Sequence, residues 1–469
     1  MFAAFAVIAA VLWSLLWGFA HTDLTTRMRP LQLTLFFSAF AVYAPAAYLV
    51  WRFGSRMNRA MLVFVIAVGI IFRLTLAPVR PVTTSDIYRY LWEGRMINSG
   101  VDPYREPPAS PTLAPFRDWV WDRVQHKRVR AAYPPVAQYV FALADRIPAS
   151  RVVTLKLVLM VFDLGTLLLL PGLLLSLGRP PAWALLYAWH PLVVGEVVAR
   201  GHLDSIGVFF LVLAMRLLLL PAPRPRALAG AALAASVLAK GYAIVALPFF
   251  LLAARPFRRW FGLGFAAVAF AAYLPFISAG SSLFSGIAQY ATDWTGYAPV
   301  FPLVDWVFAL LTPSHALAAR RVCGAALAAW LALMLFRQRR ADTPVGAFDS
   351  SFLALAAFYL LSPVLYPWYL SWTVPFLCLR PRPGWLILTG TVFLFYAHVY
   401  AGSHATIPWV TALEYGLPVC AAVATAAAHA VSRARQEASG PGRAEGADGV
   451  GAVTVRAWHK AQRAANPAC

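Results

Sequence analysis

The sequence predicts an all-α polytopic integral membrane protein, on the basis of its composition, its apolar runs and its arginine placement. Hydrophobic residues make up 61% of the chain and charged residues only 13%, and the mean hydropathy is +0.66. Soluble domains carry roughly a quarter charged residues, so composition excludes an ordinary soluble protein. A membrane span needs roughly 20 apolar residues, and counting such runs gives about fourteen, so we expect about 12–14 transmembrane helices.

The arginine placement predicts the orientation of these helices. The net charge of +21 alone would allow nucleic-acid binding, but the arginines form short clusters between apolar runs, such as 52–59, 255–259 and 337–340. These clusters fall in alternate connections, and the positive-inside rule makes that side cytoplasmic. We therefore expect a multi-pass cell-membrane protein with both termini in the cytoplasm. The polar and aromatic connections then lie on the extracytoplasmic side.

Two predicted outer segments are too long to be simple connections. Residues 80–150 and 280–315 are rich in aromatic residues and proline, and we expect short interfacial helices in both. Loops of this length usually carry function. We assign residues 1–432 to one transmembrane domain that includes both loops. The tail 433–469 has no apolar period, so we expect it to be a disordered cytoplasmic segment.

The stretch TTSDIYRYLWEGR, which begins at Thr83, follows an apolar run directly. In a helix, Asp86, Arg89, Tyr90 and Glu93 would form one stripe at positions i, i+3, i+4 and i+7. A purely structural interpretation is available, with Thr83 capping the helix and the charged residues forming helical ion pairs. A carboxylate that emerges beside a membrane span is costly, however, and this favours a functional role.

The segments that follow carry a resemblance to a known family. SGVDPY comes downstream and ends at Tyr104, and AAYPPVAQ comes after a basic aromatic segment. Together they resemble the polyprenyl-phosphate-mannose-dependent mannosyltransferases of glycosyltransferase family 87, a branch of the GT-C membrane glycosyltransferases. The matching residues are Asp86, Tyr90, Gly100, Pro103, Tyr104, Tyr133, Pro134 and Pro135.

The resemblance implies a GT-C-type helical bundle with a large helical outer loop, and it implies a reaction. Asp86 would be the general base that accepts the proton of an acceptor hydroxyl. Transfer without a covalent intermediate inverts the anomeric centre, from a β-linked donor to an α-linked product. Arg89, one turn further on, would keep Asp86 ionised. The sequence has no D-x-D pair, so we expect neither a metal nor another cofactor.

The leaving phosphate would require cationic or hydrogen-bonding side chains. The basic segment QHKRVR precedes Tyr133 directly, although contact with lipid headgroups is an equal alternative. Lys240 lies between two short apolar runs, where phosphate binding competes with snorkelling to the membrane surface. Tyr366 stands where the resembled family has a histidine. The expected donor-phosphate contacts are Arg89, His126, Lys127, Arg128, Tyr133, Lys240 and Tyr366.

A further group of polar and aromatic residues is expected to line the sugar or acceptor pocket. His202 and Asp204 could be a metal pair by residue type, but two ligands make a weak metal site. The structural alternative is a hydrogen-bonded turn that involves Arg200, and for Trp368 it is the aromatic belt at the membrane interface. The expected pocket residues are Tyr90, Glu93, Glu196, His202, Asp204 and Trp368.

The sequence therefore predicts a membrane hexosyltransferase. The expected partners are a polyprenyl-phosphate sugar, with mannose favoured, and a glycolipid or polysaccharide acceptor, together with membrane lipids and no nucleic acid. A lipid or polysaccharide flippase is the alternative from another class, but transporters place their charges in broken helices at the bilayer midplane. The second alternative is the same GT-C-type reaction with a sugar other than mannose.

Overall fold

The computed structural model describes residues 1–22, 29–81, 84–148, 150–340, 343–401 and 407–438. In these ranges the chain is helical, without a β-strand beyond one isolated bridge between Gly296 and Val364. The α-helices are α1 (Phe2–His21), α2 (Arg29–Phe53), α3 (Arg59–Leu76), α4 (Asp86–Asn98), α5 (Trp119–Arg123), α6 (Pro135–Asp145), α7 (Arg151–Ser176), α8 (Leu185–Ala188), α9 (Pro191–Val193), α10 (Asp204–Leu218), α11 (Pro223–Lys240), α12 (Leu247–Ala253), α13 (Arg258–Tyr273), α14 (Ser285–Asp293), α15 (Phe301–Ala309), α16 (His315–Arg340), α17 (Pro344–Leu361), α18 (Val374–Leu379), α19 (Pro383–Thr391), α20 (Phe395–Tyr400) and α21 (Pro408–Ala438).

Eight helical segments in the described part of the chain are long and apolar enough to cross a membrane, or up to nine if one bent pair counts as a span. The predicted all-α polytopic membrane fold is confirmed. The number of long spans is smaller than the about fourteen expected from apolar runs of membrane length. The eight are Phe2–His21, Arg29–Arg56, Arg59–Leu76, Arg151–Ser176, Arg258–Asp293, His315–Arg339, Pro344–Leu361 and Trp409–Ser432.

The difference in number arises because several apolar runs form short or broken helices. The bent pair Pro181–Ala188 and Pro191–Ala199 turns by 48°, at a proline that cannot donate a backbone hydrogen bond. Its second half contains a π-helical stretch, Val194–Ala199, which is buried on all sides. Stretches of π-helix often mark functional sites, because they rotate the side chains that follow.

The first long loop forms short helices, as its composition predicts. It contains a 3₁₀-helix, Pro111–Phe116, between α4 and α5, and α6 closes it. Helices α4 and α6 cross closely at Gly94, where a Cβ atom would lie 2.4 Å from the carbonyl oxygen of Phe141. Asp118 ties the loop to the bundle through Arg95 of α4 (2.6 Å) and Arg151 of α7 (2.9 Å).

The second long loop and the C-terminal segment are also helical where they are described. A 3₁₀-helix, Leu274–Phe284, continues α13 and leads into α14 and then α15. At the other end of the chain, α21 extends to Ala438, past residue 433, where the disordered tail was expected to begin. The rest of that tail, 439–469, lies outside the described residues.

A buried ion pair joins α3 to α7. Arg73 and Asp163 are fully buried and form a salt bridge. Tyr187 donates a hydrogen bond to Asp163 (2.6 Å), and Arg73 Nη1 donates to the carbonyl oxygen of Ala188 (2.7 Å). The pair therefore also holds the bent segment that carries the π-helical stretch.

Replacement of Asp163 should destabilise the bundle strongly. Asp163→Ala leaves Arg73 as an unpaired buried cation, and breaking such pairs costs about 3–5 kcal/mol. We expect a clearly lower midpoint of thermal unfolding in detergent. The matched control is Asp349→Ala, which removes a half-exposed carboxylate from Arg380 and Arg382 and should cost about 0–1 kcal/mol. Equal midpoints for the two variants would contradict this role of the pair.

Candidate active site

Segments far apart in the sequence meet at the start of α4. His202, in the connection before α10, lies between Asp86 and Glu196. Asp204, two residues further on, binds Lys240 at the end of α11 and Trp372 of the 3₁₀-helix Pro367–Trp372. The structure thus brings together many of the expected site residues, and it does so through direct side-chain contacts.

Asp86 is the most accessible carboxylate of this group. It is the first residue of α4, its side chain is 35% exposed, and its backbone N–H donates to Thr84 Oγ1 (3.3 Å). Ser85 precedes the helix without a side-chain cap, and the expected capping residue Thr83 lies outside the described residues. A carboxylate in the first turn interacts favourably with the helix dipole.

Gly201 allows the connection before α10 to approach α4. Its φ of +75° is a left-handed conformation, and a Cβ atom there would lie 2.8 Å from Ile87 Cδ1 and 3.2 Å from Lys156 Cγ. Only glycine meets both requirements without strain. Because Ile87 is adjacent to Asp86, this contact places His202 beside the Asp86 carboxylate.

The His202 ring is held in a stack of three rings. It lies parallel to Trp368, with a centroid distance of 3.9 Å and an interplanar angle of 14°. Trp368 also stacks on Tyr366, with a centroid distance of 4.7 Å and an interplanar angle of 10°. Trp368 is therefore occupied on both faces and orients His202, whereas the sequence suggested a pocket wall or an aromatic belt. Tyr366 supports this stack.

Glu196 lies behind His202 and is fully buried. His202 Nε2 is 3.3 Å from Glu196 Oε2, and Arg200 Nη1 is 3.5 Å from Glu196 Oε1. The hydroxyl of Tyr396 lies 3.0 Å from each carboxylate oxygen. Glu196 is thus held by three side chains, and it contacts the site through His202.

Asp204 and Lys240 form a second buried pair at the site. Lys240 Nζ lies 2.8 and 2.7 Å from the two carboxylate oxygens of Asp204, and Trp372 Nε1 donates to one of them at 2.7 Å. Lys240 also faces the ring of Tyr369 at 4.6 Å. The structure therefore gives Lys240 a carboxylate partner, a contact that neither of the two interpretations of the sequence named.

Arg89 contacts a different carboxylate from the one expected. Its Nε lies 2.5 Å from Glu93 Oε1, and its Nη2 donates to the carbonyl oxygen of Val129 at 2.8 Å. Gln138 donates to the second oxygen of Glu93 at 2.7 Å. The guanidinium thus joins α4 to the basic loop 126–130. The ion-pair contact of Asp86 is with His202.

His126 lies in this basic loop with a φ of +50°, and its ring packs against Trp294 with a centroid distance of 4.7 Å. Partial burial lowers the pKa of the His126 imidazole, and the nearby Arg89 guanidinium lowers it further. The imidazole is therefore neutral at pH 7, and it can donate a hydrogen bond but carries no charge. Arg128, in contrast, has an exposed side chain in the same loop.

Lys127 points to another part of the loop. Its Nζ lies 4.4 Å from the centre of the Trp121 ring and donates to the Asp122 carbonyl oxygen at 3.2 Å. Lys127 is thus engaged within the loop, and both interpretations of the stretch QHKRVR, phosphate binding and contact with lipid headgroups, stay predictions.

The two motifs of the family resemblance are joined by a hydrogen bond. Tyr104 of SGVDPY donates to the carbonyl oxygen of Tyr133 in AAYPPVAQ at 2.7 Å. Tyr90 stacks on Phe141 (4.7 Å, 8°) and packs edge-on against Tyr133 (5.2 Å). Burial raises the pKa of the Tyr133 phenol well above its usual value, and the Asp86 carboxylate raises it further. Tyr133 is therefore a neutral hydrogen-bonding group close to Asp86.

Several neighbours of the site were not expected from the sequence. Tyr396 lies in an apolar run and Tyr290 in an aromatic-rich loop, so no local pattern distinguished either residue from its neighbours. The Tyr290 and Tyr369 hydroxyls lie 2.5 Å apart. Across the described residues, no group of three histidine, cysteine or acidic side chains is arranged to hold a metal ion.

Two family models match the chain. The first, described as Alpha-(1->6)-mannopyranosyltransferase, N-terminal domain, matches residues 2–256, which is more than half of the sequence. The second, described as MptB C-terminal domain, matches residues 294–431. No curated protein and no solved structure matches the chain.

The helical membrane fold and these matches define a membrane mannosyltransferase with GT-C-type relatives. The chain belongs to the MptA/MptB family of alpha-(1->6)-mannopyranosyltransferases. The expected transfer of mannose is thus confirmed at the level of the family. The matched models do not confirm the specific assignment to glycosyltransferase family 87 that the sequence resemblance suggested.

Substitution of Gly201 should impair activity through the contact with α4. Gly201→Ala brings a methyl group within 2.8 Å of Ile87 Cδ1, in addition to the strain of about 1–2 kcal/mol for the left-handed conformation. We expect reduced mannosyl transfer in a membrane assay. Gly178→Ala is the matched control, because Gly178 has a φ of +65° but no atom within 4 Å of the added Cβ.

Ile87→Val removes the Cδ1 atom and should partly restore the Gly201→Ala variant. Replacement of Ile by Val alone typically costs about 0.5–1.5 kcal/mol. Equal loss of activity in Gly178→Ala and Gly201→Ala, or no recovery in the double variant, would show that the approach of the two segments is unimportant.

Proposed function

We propose that this protein transfers mannose from a polyprenyl-phosphate donor to a glycolipid or polysaccharide acceptor at the extracytoplasmic face, with Asp86 as the general base. The observation that carries the proposal is the placement of Asp86. It is a partly exposed carboxylate at a helix start, in contact with a buried histidine from a distant segment of the chain. Membership of a mannosyltransferase family supports mannose as the transferred sugar.

The chemistry follows from the exposed position of the carboxylate. Asp86 accepts the proton of the acceptor hydroxyl as that oxygen bonds to the anomeric carbon. The bond between this carbon and the phosphate oxygen breaks, and its electron pair stays on the polyprenyl phosphate. Because the acceptor attacks opposite the leaving group, a β-linked mannose gives an α-linked product. The name of the family supports an α-(1→6) linkage.

The donor phosphate is best placed against the basic loop 126–130. Arg89 and Lys240 are each engaged by a carboxylate, so an added phosphate would compete with Glu93 or Asp204. His126 can donate a hydrogen bond as a neutral group, and Arg128 offers an exposed guanidinium. Arginine binds phosphate oxygens in a bidentate manner, which suits this role. A lipid phosphate is also consistent with the donor type of the resembled family 87.

The extracytoplasmic location rests on the arginine distribution. The clusters 52–59 and 337–340 lie in connections opposite to the site in the predicted topology, and basic connections stay in the cytoplasm. Both termini are then cytoplasmic. A lipid-linked donor fits this face, because the polyprenyl chain keeps the activated sugar at the membrane surface.

Asp86→Asn should abolish transfer while leaving the protein folded, because an amide cannot accept the proton. We expect the turnover number to fall by about 10²- to 10⁴-fold. The measurement is transfer of labelled mannose from purified polyprenyl-phosphate mannose to membrane acceptors, with mass analysis of the product. Asp122→Asn, at an exposed position of the same loop, is the control and should keep full activity.

Two results would overturn the proposal. One is an Asp86→Asn protein with an unchanged rate, which would exclude Asp86 as the base. The other is a wild-type protein that uses only a nucleotide sugar, or that moves labelled lipid across vesicles without forming a product. The latter outcome would favour a flippase.

Arg128→Gln should weaken donor binding without a large effect on turnover at saturation. A hydrogen bond to a charged group contributes about 1.5–3 kcal/mol, which corresponds to a donor KM raised by roughly 10- to 150-fold. Arg123→Gln is the control, because the Arg123 guanidinium lies over the Trp119 ring at 5.4 Å. If both variants keep the wild-type KM, the phosphate lies elsewhere.

A further inference from the structure

We propose that His202, as an imidazolium, is the counter-ion of Asp86, and that Glu196 and Trp368 are positioning residues that hold it there. This inference rests on the proposed function, since it concerns the base of the transfer reaction. It replaces Arg89, which the sequence suggested for the same task. His202 acts through Asp86 and is thus a positioning residue itself.

The first argument is the pairing of charges in the described part of the chain. Each of the other carboxylates around the site has a basic partner, and these partners are lysine or arginine. Asp86 contacts His202, whose Nδ1 lies 3.8 Å from Asp86 Oδ2. Asp86 is partly exposed, and its ion-pair contact in the described residues is with the fully buried His202, so pairing of charges at this carboxylate requires a protonated imidazole. The other pairs are Glu93 with Arg89 (2.5 Å), Asp204 with Lys240 (2.7 Å) and Glu196 with Arg200 (3.5 Å).

The second argument is the direction of the ring nitrogens. The His202 side chain is fully buried, with Nδ1 toward Asp86 and Nε2 toward Glu196 at 3.3 Å. A neutral imidazole has one donor nitrogen and one acceptor nitrogen, whereas an imidazolium has two donors. A carboxylate at each nitrogen therefore matches the imidazolium. Neither nitrogen forms a hydrogen bond in the described residues, so the two carboxylates, at ion-pair distance, are the groups that face the ring nitrogens.

The third argument is the immobility of the ring. Trp368 lies parallel to His202 at 3.9 Å and is itself covered by Tyr366 on its other face. Stacking of an imidazolium on an indole also stabilises the charged form. The charged and titratable groups around His202 are Asp86 of α4, Glu196 and Arg200 of the bent segment, Asp204 of α10, Lys240 of α11 and Tyr396 of α20.

This arrangement would assist the reaction electrostatically. Before transfer, the imidazolium lies beside the Asp86 carboxylate, the group that accepts the proton. When Asp86 takes the hydroxyl proton, its charge disappears and the imidazolium charge remains. At the same moment, the leaving phosphate gains a negative charge. The site therefore becomes more positive as the phosphate becomes more negative, which stabilises the transition state.

The test separates the effect of the charge of His202 on kcat from the effect of its packing. His202→Gln should lower kcat by about 10²-fold or more, with little change in the donor KM. In His202→Ala, added imidazole should restore part of kcat, whereas pyrazole should not. The two compounds have nearly the same shape, but pyrazole is far less basic and stays neutral. A site that admits a sugar and its acceptor can admit either compound.

The control is His315→Ala, which removes a histidine from another carboxylate, Asp305, at 2.7 Å outside the site. Its activity should be unchanged and insensitive to both compounds. The proposal is overturned if His202→Gln keeps its kcat, if both compounds restore His202→Ala equally, or if neither does. His202→Gln has nearly the size of the native residue, so it tests the idea even if His202→Ala does not fold.

Failure of this inference can be distinguished from failure of the proposed function. If wild-type protein transfers mannose and Asp86→Asn does not, the proposed function stands whatever the variants of His202 show. If wild-type protein uses no polyprenyl-phosphate sugar, the proposed function fails. In that case the assay of His202 is repeated with the donor that supports transfer, and the comparison of imidazole with pyrazole still decides the role of the charge.

Discussion

Gly201 is the position on which the geometry of the site depends. It has a left-handed conformation and leaves no room for a Cβ atom against Ile87, so the connection before α10 lies directly on the start of α4. The π-helical stretch before it and the α10 start after it then bring Glu196, His202 and Asp204 to the same place. One close approach of the Gly201 backbone to the Ile87 side chain thus helps to assemble side chains from segments that are more than 100 residues apart.

The second constraint is the high cost of charge inside a membrane protein. Isolated charges in the bilayer are expensive, and two buried ion pairs join helices of the bundle. Arg73 and Asp163 join α3 to α7 in the core, and Lys240 joins α11 to Asp204 near the site. The exposed fraction separates Asp86 from these pairs: its carboxylate is 35% accessible, while Asp163 and Asp204 are fully buried. Accessibility, more than charge, therefore identifies the group that can meet a substrate.

The sequence predicted the class of fold and the residue types of the site better than their contacts. Apolar composition was sufficient for an all-α membrane protein, and polar residues beside apolar runs indicated Asp86 and His202. The number of spans was overestimated, because hydropathy does not distinguish a long helix from the bent segment 181–199. Local spacing offered Arg89 to Asp86 and to Glu93 alike, and spacing along one helix could not decide that Glu93 takes the guanidinium. The stack of His202 on Trp368 joins residues far apart in the chain, and no local pattern encodes it.

The contact of Arg89 with Glu93 has a consequence for the proposed donor site. The same guanidinium donates to the carbonyl oxygen of Val129, so α4 carries the base at its first residue and supports the basic loop one turn later. The close packing of Gly94 on Phe141 and the hydrogen bond from Gln138 to Glu93 fix this helix against α6. The distance between Asp86 and loop 126–130 is therefore set by one short helix. In the proposed reaction these two parts serve the acceptor hydroxyl and the leaving phosphate, which must lie on opposite sides of the anomeric carbon. A rigid element that carries both is a physical means of fixing this separation.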